Sequence, residues 1–192
     1  MKEYVKMIVV LSVISAVCGF SLAAINAITH ERIEDQKLIN IKGPTVSAIL
    51  AGSSNNLIKD RKEIVIHNKK MTVFIGKKDG TPWAVAYEVE ADGFGGVMNV
   101  MVGFNLADNT LLGIGIVSHK ETPGIGSRVM EDMFMSQFTN KPLDVPFKTR
   151  DQGGAIDAVT GATVSSRAVC AAVQNGTTLY PEVKSAVVKM GD

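Results

Sequence analysis

Several familiar chemistries are excluded by what this sequence lacks. It has two cysteines, Cys18 and Cys170, no C-x-x-C, and three histidines (His30, His67, His119) far apart along the chain. Local spacing therefore builds neither a zinc site nor an iron–sulfur cluster, and no metal ligand is assigned. Lys and Arg total 20 against 19 Asp and Glu, a net charge of +1. The basic footprint of a nucleic-acid binder is absent, so no nucleic-acid partner is expected. No G-x-x-x-x-G-K-[ST] occurs, and the glycines at 93, 95, 96, 124 and 126 never complete G-x-G-x-x-G. A nucleophilic threonine would need a base nearby, and of the three histidines only His119, in the stretch HKETPGIG, is a candidate, so no catalytic residue is assigned.

Charge is also missing from one long run. Residues 7 to 28, MIVVLSVISAVCGFSLAAINAI, carry none. At about 1.5 Å per residue such a helix reaches roughly 33 Å, enough for a hydrocarbon core of about 30 Å. Lys2 and Lys6 precede it and the mixed HERIED follows. The positive-inside rule then puts the N-terminus in the cytoplasm and the remainder across the membrane. A cleaved signal peptide is the rival, with Ser21-Leu22-Ala23 as a small-x-small site, although signal h-regions run only about 7–15 residues. Ser15, Gly19 and Ala23 form a small-xxx-small stripe suited to packing on another membrane helix.

Beyond the span, residues 30–60 read as a stalk and linker helices, broken at Gly43-Pro44. The remaining segment, 61–192, opens with strands. EIVIHN, KMTVFIGK, PWAVAYEVEA, VMNVMVGFNL and TLLGIGIVSH are β-branched or aromatic and joined by short turns, which predicts an antiparallel sheet. Helices follow. Ser127 is placed to cap a helix over SRVMEDMFMSQF, and TVSSRAVCAAVQNG reads as another, buried along Val164, Ala168 and Ala172 and closed near Gly176. A short terminal helix is expected after it. The fold class is thus α+β: a single N-terminal transmembrane helix (1–29), then a mainly antiparallel sheet domain with flanking helices.

The stretch DAVTGATVSS, 157 to 166, gathers hydroxyls around a small-residue turn at a helix start. Gly161 permits the turn, Ala162 keeps the surface open, and Thr163 falls at the N-cap position. The amides of about Val164 to Ser166 point outward, the helix dipole favours an anion there, and Ser165 and Ser166 add donors. Two readings fit, a helix cap or a handle for a phosphate. A second stretch, HKETPGIG (119 to 126), reads either as a Pro-Gly turn or as a loop against a flat ligand. There Pro123 stiffens the chain, Gly124 and Gly126 admit close backbone approach, and Thr122 offers a hydroxyl.

Together these stretches resemble the covalent FMN-binding domain family. That family occurs in the G subunit of the Rnf electron-transport complex and the C subunit of sodium-translocating NADH:quinone reductase. Asp157 to Thr163 is similar to its S/T-G-A-T attachment motif and residues 119–126 to its H-x-E-T-P-G-x-G segment. The resemblance implies FMN esterified through its phosphate to Thr163. It further implies cofactor-binding roles for Thr160, Gly161, Ala162, Val164, Ser165, Ser166, Asp157, His119, Glu121, Thr122, Pro123, Gly124 and Gly126. A separate flavin transferase, acting outside the cytoplasm, is the implied partner for attachment. The other membrane and redox subunits of an Rnf-type complex are the implied partners in function.

The function so implied is an electron-carrier subunit of an ion-translocating ferredoxin:NAD oxidoreductase, with no substrate turnover of its own. It would sit in the cytoplasmic (inner) membrane with the flavin domain on the periplasmic or extracellular side. The short chain favours the Rnf member of the family over its longer quinone-reductase counterpart. A non-redox extracytoplasmic ligand-binding module remains the rival from outside the family.

Overall fold

The computed structural model describes residues 2–189. They divide between Asn40 and Ile41 into two compact units. The first is helix α1, Lys2–Lys37, which passes into a π-helical turn at Leu38–Lys42. Its stretch Lys2–His30 is long and apolar enough to cross a membrane, and its large hydrophobic side chains from Tyr4 to Ile28 are exposed. The helical backbone satisfies its own polar groups, which any span of a hydrocarbon layer requires.

The second unit takes in residues 41–60, which the sequence alone assigns to a linker. Helix α2, Gly43–Ile49, begins with Pro44 in its first turn, where a missing amide costs nothing. Six strands follow: β1 (Lys62–Ile66), β2 (Lys69–Lys78), β3 (Thr81–Asp92), β4 (Val97–Asn105), β5 (Thr110–Ser118) and β6 (Lys141–Pro142). They lie side by side in chain order, every neighbouring pair antiparallel, so the sheet is a meander. Its first two turns are two-residue loops, His67-Asn68 and Asp79-Gly80, all with positive φ. That is the hairpin geometry whose twist matches the strands it joins.

The two faces of the sheet are covered differently. Against one packs α2, seated on glycines: a Cβ on Gly103 would stand 2.1 Å from Ile49 Cγ2, and one on Gly115 2.3 Å from Thr45 Cγ2. Against the other packs α4, Thr163–Lys189, over a core that includes Tyr87, Phe104 and Val102. Tyr87, Phe104 and Tyr180 stack in series, with centroids 5.4 and 4.8 Å apart. Burial drives the Tyr87 hydroxyl well above the usual phenol range, with Tyr180 adding to it, and that hydroxyl donates to Gly176 O at 2.8 Å.

Gly176 does not close the helix as expected. A Cβ there would lie 2.9 Å from Val102 Cγ2, so the glycine serves close helix–sheet contact, and α4 runs on through it and through Pro181. The separate terminal helix expected after it is the second half of α4. The helix expected over 127–138 is likewise absent as a single element. A 3-10 turn (Gly126–Met130), a one-turn helix α3 (Asp132–Met135) and a second 3-10 turn (Ser136–Phe138) replace it, with Glu131 extended between the first two. The bends bury Val129, Phe134 and Phe138 and leave Met130 and Met133 exposed. On a straight helix Met130 and Met133 would project between Val129 and Phe134 around the axis, so a single buried face holding those two would take in the methionines as well. Ser127 does not cap; its oxygen accepts the Gly124 N–H at 2.9 Å.

Candidate functional site

Three segments distant in sequence meet at the start of α4: the glycine-rich tip of the β3–β4 hairpin (93–96), the loop 119–126, and the turn 157–162. The turn is built by its own backbone. Ala162 N–H donates to Val159 O at 2.9 Å with Gly161 at φ +82°, a conformation that suits glycine at the third turn position. Ser166 then fastens turn to helix: its hydroxyl accepts Val159 N–H at 3.0 Å and donates to Ala162 O at 2.9 Å. Ser166 N–H also donates to Ala162 O at 2.9 Å.

That last bond corrects the register of the cap. Ala162 O accepts the first intrahelical bond, which makes Ala162 the N-cap and Thr163 the first helical residue. The Ser166 amide is therefore paired, and the amides a helix leaves open here are those of Thr163, Val164 and Ser165. The hydroxyls also divide. Ser165 and Ser166 are 2% and 0% exposed, and both are spent inside the protein, not offered to an anion. Thr163 is exposed, and among the described residues nothing hydrogen-bonds its hydroxyl. Val164, expected on the buried face, is 48% exposed beside it.

Inside, the Ser165 hydroxyl donates to Glu121 Oε2 at 2.6 Å, and Gly95 N–H donates to Glu121 Oε1 at 3.2 Å. Glu121 is only 4% exposed, so it faces the protein interior and not a ligand surface. His119 supports the same residue, its Nδ1 accepting Glu121 N–H at 3.1 Å. Thr122, Pro123 and Gly124 stand outside, all exposed. Gly124 has φ +74° with open space where a side chain would go, while Gly126 is buried against Glu121. Asp157 is exposed and ion-paired, its Oδ1 lying 2.5 Å from Arg150 Nε. Its backbone is held at both groups by one side chain, Gln137, at 2.7 and 3.1 Å.

The structure adds a feature without a local sequence motif. A cleft of about 450 Å³ opens along α4 just beyond Thr163, lined by Asp92, Phe147, Lys148, Gln152, Val164, Arg167 and Gln174. Its size is that of a small-molecule site, and its walls mix apolar surface with a few polar groups. Arg167 Nε contacts Asp151 Oδ2 at 3.0 Å at its edge. Cys170 also lines the cleft, but burial, with Asp151 adding to it, pushes its thiol up to about 12, so it stays protonated and unreactive. These residues come from three segments between 92 and 175, which is why spacing along the chain does not reveal them.

Comparison with known proteins covers this same region. A family model described as an FMN-binding domain matches residues 93–178, from the hairpin tip through the first half of α4. The crystal structure of Shewanella oneidensis NqrC is similar at TM-score 0.46 and 23% identity, covering 58% of this chain and 61% of that one. The G subunit of the proton-translocating ferredoxin:NAD(+) oxidoreductase complex of Clostridium ljungdahlii is 29% identical, across 85% of this chain and 84% of the relative. The G subunit of the ion-translocating oxidoreductase complex of Erwinia tasmaniensis is 33% identical, across 91% of this chain and 88% of the relative. With one-third identity over nearly its whole length to that relative, the chain belongs to the family of ion-translocating oxidoreductase complex G subunits.

Proposed function

We propose that this chain is the electron-carrier subunit of a membrane-bound, ion-translocating oxidoreductase complex of the Rnf type, working through FMN esterified to Thr163. FMN supplies a ring that takes up and releases electrons, together with a terminal phosphate free for esterification. The single observation that carries the reading is the state of the Thr163 hydroxyl: exposed, without a hydrogen-bond partner among the described residues, and at the open end of a 27-residue helix.

The donor chemistry fits a phosphoester. The amides of Thr163, Val164 and Ser165 face the place where its charge would lie, and the helix dipole favours that charge. Ala162 and Gly161 add no bulk around the oxygen. The exposed Thr122–Gly124 segment and the cleft beside Val164 and Arg167 are the surfaces available to the rest of the cofactor. Lys148 and Arg167 bring positive charge to the cleft, with Asp92 opposing it and Arg167 itself paired with Asp151. Asp157, Thr160 and Gly161 of the turn are exposed beside Thr163, which supports access by a flavin transferase, the partner proposed for attachment.

The helix Lys2–His30 supports anchoring of the flavin domain to a membrane. Lys2 and Lys6 at its start support a cytoplasmic N-terminus, with the flavin domain on the periplasmic or extracellular side. A tether of this kind keeps the carrier near its donor and acceptor subunits and raises their effective concentration. The domain has no need of an NAD or ferredoxin site of its own, and the complex's other subunits are its partners.

The test is direct. The whole chain, made together with a flavin transferase, should fluoresce in a denaturing gel and exceed its polypeptide mass by one FMN less one water. Thr163→Val should abolish both signals. A colourless, unmodified wild type would overturn the proposal.

A further inference from the structure

We infer that Glu121 is the positioning residue of the flavin site, its buried carboxylate fixing the hairpin tip and the loop 122–126 against the first turn of α4. The inference rests on the reading of Thr163 as the flavin carrier and deepens it. Two donors from separate segments converge on this carboxylate, the Ser165 hydroxyl at 2.6 Å on Oε2 and Gly95 N–H at 3.2 Å on Oε1. The slot around it exists only because its walls are glycine. A Cβ on Gly93 would stand 2.2 Å from Oε1, and one on Gly126 2.5 Å from Oε2. Gly95 is pressed so closely to the loop that a Cβ there would meet Lys120 O at 1.9 Å.

An apolar contact would join these segments at lower cost, since a buried carboxylate must recover its lost hydration from its partners. What hydrogen bonds add is direction. Apolar surfaces slide over one another, whereas a two-donor carboxylate fixes angle and distance together. Ser165 lies two residues after Thr163, and Thr122 follows Glu121 directly. Any movement of the clamp therefore shifts the flavin-bearing oxygen relative to the exposed loop. The clamp also holds the tip that presents Phe94, whose side chain is 73% exposed.

The experiment uses the whole chain in detergent, loaded by co-expressed flavin transferase, with each variant also prepared unloaded. Glu121→Asp withdraws the carboxylate by one methylene and Ser165→Ala removes one donor, while Glu121→Gln keeps the length, its amide oxygen still accepting Gly95 N–H and its NH2 donating in the reverse direction to the Ser165 oxygen. Flavin content is read by intact mass, ring immobilisation by fluorescence anisotropy and visible circular dichroism, and folding by melting of the unloaded form. Glu121→Asp and Ser165→Ala should stay loaded while anisotropy and the dichroic band fall at least about twofold, as a site loosened in its supporting groups does. Glu121→Gln should remain near wild type.

A purely structural role lowers the melting temperature of the unloaded form and leaves the ring signals of the folded, loaded protein unmoved. That result overturns the inference. So does loss of flavin from a variant whose unloaded form melts normally, because the clamp acts on placement and not on attachment. If Glu121→Asp does not fold, Ser165→Ala decides alone by the same readings. An unmodified wild type would overturn the Thr163 reading itself, whereas a loaded wild type with unmoved variants overturns this inference only.

Discussion

The outward and inward sides of the first turn of α4 carry the same kind of side chain and use it in opposite ways. Inward, Ser165 and Ser166 are buried, and each hydroxyl is committed to bonds with Glu121, Val159 or Ala162. Outward, Thr163 is exposed and its hydroxyl has no partner among the described residues. A buried hydroxyl left unpaired costs more than the bond it forgoes, so the inward pair must be structural. An exposed hydroxyl is already satisfied by water and is free to react at little cost to the fold. Residue type along TVSS does not separate the two; the helix phase does, because residues two and three positions past Thr163 turn toward the protein interior.

The sharpest way to break this contrast is to remove one hydroxyl from each side. Thr163→Val carries the largest expected effect, complete loss of covalent flavin, with stability changed by less than about 1 kcal/mol because no bond of the fold is lost. Mass spectrometry and thermal melting of the same preparation read both quantities. Ser166→Ala should give the reverse pattern. Val159 N–H loses its acceptor, which costs about 1–3 kcal/mol and lowers the melting temperature, while the Thr163 oxygen keeps its flavin. If Ser166→Ala lost flavin at unchanged stability, the division between structural and reactive hydroxyls would fail.

The same contrast explains what sequence reveals of this molecule. Strands are legible because their β-branched and aromatic runs are short and end at Gly, Asn and Asp turns, and all five long strands lie where those runs fall. The start of α4 is legible to within one residue from Gly161 and the hydroxyls behind it. Gly176 misleads because its role is set by Val102 on the neighbouring sheet, a contact distant in sequence. The 126–138 segment misleads because its apolar spacing suits a helix, and only the position of the core decides that Met130 and Met133 stay outside. For the candidate site, the motifs mark segments that the fold brings together at the start of α4, but not the direction in which each residue faces. Glu121, Ser165 and Ser166 prove internal, while Lys148, Gln152 and Arg167 carry no local signal at all.

The weakest member of the comparison is the ion pair at the start of the turn, and its weakness is informative. Arg150 and Asp157 lie 2.5 Å apart, yet their side chains are 69% and 64% exposed. An exposed pair gains little over its hydration and is screened by salt, typically contributing about 0–1 kcal/mol. The backbone of Asp157 is held instead by the Gln137 amide, which pairs with both its N–H and its carbonyl. Arg150→Ala should therefore leave the melting temperature almost unmoved and covalent flavin intact, at low and high salt alike. Gln137→Ala should cost more than Arg150→Ala, since it frees the peptide that starts the turn. If the order were reversed, the outward charges and not the inward amides would be holding the attachment segment in place.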